Sequence, residues 1–228
     1  MGSGSKRVAN DPARVRAGMR LYAVTDSAWL NGRTLPACVK EALAGGATFI
    51  QLREKTFSTE ELIEAGRPLR ALCAQARVPF VIDDDVAAAR LLDADGVHVG
   101  QSDESCAAAR AELGACKIVG VSAQTVEQAL AAEAAGADYL GVGAVFGTPT
   151  KPDAAEVSLD ELRAICAAVS IPVVAIGGLN ERTVSVLAQT GAAGAAVVSA
   201  IFAARDIEAA TTRLRALCDE TFSPNQRS

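Results

Sequence analysis

Eight short β-rich runs alternate with Ala-, Leu- and Glu-rich stretches along almost the whole chain, and this alternation limits the fold more than any other feature. The runs are Leu21–Thr25, Thr48–Arg53, Phe80–Ile82, Gly96–Val99, Lys117–Val121, Tyr139–Val142, Val173–Ile176 and Ala195–Val198. Each is apolar or β-branched and is bounded by Gly, Asp or Pro. Helical patterns lie between them, at Thr59–Gln75, Thr125–Ala135, Leu159–Val169 and Glu181–Thr190. Ser58 ahead of Thr59 and Glu60, and Ser158 with Glu161 three residues on, have the spacing of N-caps. Gly45-Gly46, Gly136 and Gly191 stand where helices should end, just before a strand. Strict β-α alternation with continuous apolar strands means a parallel sheet covered on both faces. Eight such strands predict a closed (β/α)8 TIM barrel, an α/β fold, as a single domain over residues 1–228 with 1–10 and 223–228 flexible. A doubly wound open sheet is the alternative, but no G-x-G-x-x-G follows the first strand.

The ends of the runs carry the chemistry. Active sites of such barrels lie at the C-terminal ends of the strands, and nearly every unusual polar residue falls there. Gln51, Arg53 and Lys55 follow strand two; Asp83, Asp84 and Asp85 follow strand three; Gln101 and Asp103 follow strand four. Ser122 follows strand five; Thr148, Thr150 and Lys151 follow strand six; Gly177-Gly178 and Val198-Ser199 close strands seven and eight. The strand starts carry no comparable set. Gln51, Arg53 and Lys55 are two apart, so an extended strand puts them on one face. A guanidinium and an ammonium at a barrel mouth suit an anion, phosphate above all; the bland alternative is a solvated ion cluster with Glu54. Glycines after strand seven with the end of strand eight suit a second phosphate, bound by bare backbone N–H groups. Asp84 and Asp103 are hard oxygen ligands for Mg2+, one ion per site, although each alone reads equally as a helix N-cap. The Gly147–Pro152 loop reads as a flap bearing hydroxyls and an ammonium.

Composition removes other classes. The net charge of −5 disfavours a nucleic-acid partner, and no apolar run approaches the ~20 residues that span a membrane. Cys38, Cys73, Cys106, Cys116, Cys166 and Cys218 include no C-x-x-C pair, and Met1–Arg7 has no apolar segment of a secretory leader. They read as buried thiols of a cytoplasmic protein. The only histidine, His98, sits inside a strand and reads as a supporting residue, which leaves no histidine cluster for zinc. The oligomeric state stays open, a homo-oligomer included.

As an ordered set these motifs resemble the thiamine-phosphate synthase (thiamine-phosphate pyrophosphorylase) family from about Leu21 to Ile201. The residues that carry the likeness are Gln51-Leu52-Arg53-Glu54-Lys55, Asp95–Gln101 with Asp103, Gly120-Val121-Ser122, Gly136–Tyr139, Thr148–Lys151, Ile176-Gly177-Gly178 and Val198–Ile201. The resemblance implies that a hydroxymethylpyrimidine diphosphate loses pyrophosphate while a thiazole phosphate attacks its methylene carbon. It implies that Gln51, Arg53, Lys55, Ser122 and Lys151 hold the pyrophosphate and that Asp84 and Asp103 hold Mg2+. Thr148, Thr150, Gly178, Val198 and Ser199 would serve the thiazole phosphate. One departure matters: the family commonly shows Asn-Asp-Arg after strand three, and this chain shows Asp83-Asp84-Asp85. An ionised Asp83 accepts hydrogen bonds but donates none. The rival readings are a thiazole tautomerase, a sugar-phosphate epimerase or isomerase, and a non-catalytic ligand-binding paralogue. Against them stand the single histidine, the cationic strand-two cluster and the retained carboxylates.

Overall fold

A computed structural model describes residues 9–100, 105–147 and 156–223. Its eight parallel strands close into a barrel in sequence order, with β1 pairing to both β2 and β8. The strands are β1 (Leu21–Val24), β2 (Phe49–Leu52), β3 (Phe80–Asp83), β4 (Gly96–Val99), β5 (Ile118–Ala123), β6 (Tyr139–Val142), β7 (Val173–Ile176) and β8 (Gly194–Val197). The helices are α1 (Pro12–Gly18), α2 (Leu35–Ala44), α3 (Thr59–Ala76), α4 (Val86–Leu91), α5 (Cys106–Leu113), α6 (Val126–Ala134), α7 (Leu159–Ala168), α8 (Ser199–Phe202) and α9 (Ile207–Thr221).

The period of two divides each strand between two apolar clusters. Leu21, Ala23, Ile50, Leu52, Ile82, Val97, Leu140 and Val142 pack outward under the helices. Tyr22, Val24, Phe49, Val81, Ile118, Tyr139, Val174 and Ala196 point inward and form a separate cluster with Val15 and Met19. These last two belong to α1 and its C-cap, a helix ahead of the first strand that the sequence pattern did not predict. Asp11 caps α1 and Pro12 opens it. The helix crosses the N-terminal ends of the strands: Thr48 Oγ1 donates to Gly18 O at 2.8 Å, and Asn10 Nδ2 donates to Ala115 O at 2.8 Å. That end of the barrel is therefore sealed.

Three expectations need correction. The strand starts do carry polar residues, and these fasten the base. Asp138 accepts from the Val119 amide at 2.7 Å and from Arg110 at 2.6 Å, while Asp95 accepts from the Phe80 amide at 2.9 Å and faces Arg14 at 3.4 Å. The stretch 181–190 is not an α-helix. Only a 3-10 turn, Val184–Leu187, forms, with no side-chain cap at Thr183. Asn180 folds its Oδ1 onto the Arg182 amide, and the β-branched Thr183, Val184 and Val186 resist α-helical packing. The thiols are also less uniformly buried than expected: all six are free, but Cys116 is exposed and Cys166 partly so. At the two predicted caps, Ser58 and Glu61 form a full capping box. Ser158 caps Glu161 alone, because the Glu161 carboxylate turns instead to the Val126 amide at 3.2 Å. No helix among the described residues is long and apolar enough to cross a membrane.

Asp138→Ala is expected to lower unfolding free energy by roughly 1–3 kcal/mol, because it leaves the buried Val119 amide without its acceptor, while Arg110 keeps its bonds to the Gly114, Lys117 and Gly136 carbonyls. Urea denaturation followed by circular dichroism measures it.

Candidate active site

Inward-facing residues above the apolar layer are polar. Gln51 lies two residues above Phe49 on β2, Asp83 two above Val81 on β3, and Ser122 two above Gly120 on β5. Ser122 is thus part of its strand, which runs two residues further than the sequence suggested, so its hydroxyl is fixed by the sheet and not carried on a loop. His98 on β4 shares this interior level, paired in register with Asp83 on one side and Gly120 on the other.

Strand β2 ends at Leu52, so Arg53 and Lys55 lie past the end of the sheet, on the connection that leads to α3. They converge all the same. Arg53 Nε lies 3.5 Å from Asp83 Oδ2 and Lys55 Nζ 3.1 Å from the same oxygen; Lys55 also donates to Asp84. Asp26, beyond the end of β1, faces Arg53 from its other side at 3.8 Å. Nothing in the sequence marked Asp26, because it also serves as the cap of the 3-10 turn Ser27–Trp29. Glu54 stays out of this cluster and accepts from Thr25 Oγ1 and the Ser27 amide, which removes the reading of a solvated Glu54 ion cluster.

The three aspartates divide their work. Asp85 caps α4 through the Ala88 amide at 2.7 Å and accepts from Thr59 Oγ1 at 2.7 Å. Asp84 takes a left-handed backbone, φ 62°, with its amide tied to His98 O at 2.8 Å; aspartate tolerates that region better than most residues. Asp83 faces inward and is mostly buried, so it does not turn away from the site. Burial pushes its carboxyl above the usual range, the Asp84 charge adds to this, and Lys55 and Arg53 oppose it. Burial works against the Lys55 charge too, but Asp83 and Asp84 outweigh it and hold the ammonium above the usual lysine range. Two carboxylates, one ammonium and one guanidinium are therefore packed together at the mouth.

The opposite rim is built from backbone. Gly177 and Gly178 both have positive φ, 103° and 61°, and a Cβ on either would come within 2.6 Å of Ala144 or of the Phe146 side chain. Val198 precedes α8 without a side-chain cap, and Ser199 begins the helix. Thr148, Thr150, Lys151, Gln101 and Asp103 lie outside the described residues. Among the described residues no group of three His, Cys, Asp or Glu side chains gathers as metal ligands.

Residues 21–201 match the family model for thiamine monophosphate synthase. Over 203 residues the chain is 51% identical to thiamine-phosphate synthase of Chloroflexus aurantiacus, covering 89% of this chain and 94% of that one. The Clostridium acetobutylicum thiamine-phosphate synthase is 46% identical over 189 residues, 83% of this chain and 90% of that one. A solved thiamine phosphate pyrophosphorylase from Pyrococcus furiosus superposes with a TM-score of 0.85 at 41% identity, covering 92% of this chain and all of that one.

Asp83→Asn removes the one anion that Arg53 and Lys55 share, leaving Asp26 on Arg53 and Asp84 on Lys55. Inorganic pyrophosphate, titrated calorimetrically without divalent metal, is expected to bind the variant about tenfold more tightly than the unaltered protein.

Proposed function

Because the chain belongs to the thiamine monophosphate synthase family, we propose that its Arg53, Lys55 and Ser122 carry the departure of pyrophosphate from the pyrimidine substrate. The reaction is a transfer of the pyrimidinylmethyl group from a hydroxymethylpyrimidine diphosphate to a thiazole phosphate, giving thiamine phosphate and pyrophosphate. The observation that carries the residue assignment is the convergence of Arg53 and Lys55 on the Asp83–Asp84 pair at the strand ends.

The step is a dissociative displacement. The bond between the methylene carbon and the diphosphate oxygen breaks, and its electron pair leaves with pyrophosphate. The electron-rich pyrimidine ring shares the positive charge left on carbon, and the thiazole nitrogen then adds its lone pair there. Charge grows on the leaving oxygens, so the helpful groups are donors fixed in advance and no strong general base is needed. Arg53 and Lys55 supply cationic donors, Gln51 an amide, and Ser122 a hydroxyl hydrogen bond to the leaving group. Lys151 is assigned to the same diphosphate by its motif.

A Mg2+ ion suits this donor set. Asp83 and Asp84 both meet Lys55; burial raises the Asp83 carboxyl most, the Asp84 charge adds to it, and that like-charge repulsion is of the kind a divalent cation relieves. Mg2+ is commonly held by one or two carboxylates together with substrate phosphate, so a cage of three protein ligands is not required. Asp84, with Asp103, would hold it, and Asp83 stands close enough in sequence and charge to help. Bound there, the ion would neutralise charge on the diphosphate. The backbone rim of Gly178, Val198 and Ser199, with Thr148 and Thr150, takes the thiazole phosphate, and Gly177 and Gly178 let that rim pack closely against Ala144 and Phe146, where a Cβ would clash.

A tautomerase reading needs a histidine placed to move a substrate proton. His98 instead holds Tyr139 and Ser122 on its two ring nitrogens. Six unpaired thiols, one of them exposed, fit a cytoplasmic protein.

Purified protein given both substrates and Mg2+ is expected to release pyrophosphate and form thiamine phosphate in equal amounts, with no release when any one component is omitted. Release without the thiazole phosphate, or none with all three at high enzyme concentration, overturns the reading. Ser122→Ala should lower kcat by about 10²-fold, the scale of one transition-state donor, with a smaller change in KM; an unchanged kcat removes Ser122 from the step.

A further inference from the structure

Beneath Ser122 a file of hydrogen bonds runs down the barrel interior. Ser122 Oγ lies 3.0 Å from His98 Nε2, His98 Nδ1 lies 3.0 Å from Tyr139 Oη, and Tyr139 Oη lies 2.8 Å from Tyr22 Oη. Tyr22 and Tyr139 are buried among Phe49, Val81, Ile118 and Val174 at the sealed end. The rings pack edge to face, with Tyr139 5.9 Å from Tyr22 and 5.6 Å from Phe49 between centroids. Gly120 makes room for the file: a Cβ there would sit 2.1 Å from Tyr139 Cζ.

Counting protons fixes the direction of the file. Each phenol has one proton to donate, and a neutral imidazole has one. Among the described residues the Tyr22 hydroxyl has Tyr139 as its hydrogen-bond partner. If Tyr22 donates to Tyr139, Tyr139 can donate to His98 Nδ1, and the imidazole proton then lies on Nε2 and is given to Ser122 Oγ. Every proton has an acceptor. If the imidazole proton lies on Nδ1 instead, it must go to Tyr139. Then either Tyr139 donates to Tyr22 and leaves the Tyr22 proton without an acceptor, or Tyr22 donates to Tyr139 and leaves the Tyr139 proton without one. A buried donor left in this way costs about 1–3 kcal/mol. Burial raises both phenols well above their usual range, so each keeps its proton.

We propose that Tyr22, Tyr139 and His98 are positioning residues that hold His98 as the Nε2–H tautomer, so that Ser122 accepts from the imidazole and gives its own hydroxyl proton to the leaving pyrophosphate. In the opposite tautomer Nε2 would take the serine proton, and Ser122 would present lone pairs to an anion. The file therefore sets the role of Ser122 toward His98, acceptor in one tautomer and donor in the other. The inference rests on the donor role given to Ser122 under Proposed function.

His98 is the sole histidine, so a two-bond 1H–15N correlation spectrum of uniformly 15N-labelled protein at about pH 8, where an unshifted imidazole is neutral, reads one ring. A protonated Nε2 with a bare Nδ1 is expected; a protonated Nδ1 overturns the proposal. In kinetics, Tyr139→Phe is expected to lower kcat about tenfold with KM nearly unchanged. On a Ser122→Ala background it should lower kcat no further, because Tyr139 acts through that hydroxyl. Equal losses on both backgrounds would mean that Tyr139 only supports the fold, and would overturn the proposal. An unchanged kcat in Ser122→Ala alone, with the tautomer as expected, would overturn the donor role of Ser122 and leave the direction of the file standing.

Discussion

Val15 and Met19 fill the base of the barrel against Tyr22, Phe49 and Ile118, and the order of everything above them depends on that apolar plug. With the base closed by α1, a polar group inside the barrel has no water below it and must pair with another interior group. Tyr22 therefore pairs with Tyr139, Tyr139 with His98, and His98 with Ser122, until the file reaches the open end. The same alternation that puts Leu21 and Ala23 under the helices puts Tyr22 and Val24 inside, so the interior column and the outer core are set by one register. A slip of one residue in β4 or β5 would turn His98 or Ser122 outward and break the file.

Much of this was legible in the sequence because periodicity reports directly on burial. The eight strands and their order followed from β-branched runs between helical stretches, and the caps at Ser58 and Ser158 from their places ahead of Thr59-Glu60 and three residues before Glu161, although the reciprocal contact of a full capping box formed at Ser58 with Glu61 and not at Ser158. What sequence could not give was the meeting of residues far apart in the chain. Lys55 and Asp84 are 29 positions apart, and Tyr22 and Tyr139 are 117 apart. The reading of Gln51, Arg53 and Lys55 as one face of a strand carried the strand past its end, since β2 stops at Leu52 and the two cations meet Asp83 from the connection that follows. The helix α1 was missed because its seven residues carry a weak apolar pattern, and its role becomes visible only against the strand ends it covers. A signal for the interior file was present: Gly120-x-Ser122 and Tyr139-x-Gly141 pair a small residue with a functional or bulky one at the strand period. Side chains must alternate in size where a barrel interior is crowded.

Asp83, where the family resemblance leads one to expect Asn, bears on the balance of charge at the mouth. Asp83 faces the same two cations that the proposed reaction needs for pyrophosphate. An ionised carboxylate there holds Arg53 and Lys55 in place before any anion arrives, and then competes with that anion for them. Its burial and the neighbouring Asp84 weaken the competition, because both favour the protonated form. The position thus serves as an internal counter-ion whose hold on the cations is weakened by burial and by Asp84, and on the proposed function it would yield to a ligand bearing several negative charges. Diphosphate has the charge and the oxygens to take over both contacts at once. A group bearing a single negative charge would replace one carboxylate with another and gain little. On the proposed function, the arrangement of Asp83, Arg53 and Lys55 would favour a polyanion over a singly charged group, ahead of any contribution from the backbone rim at Gly177 and Gly178 or the hydroxyl of Ser122.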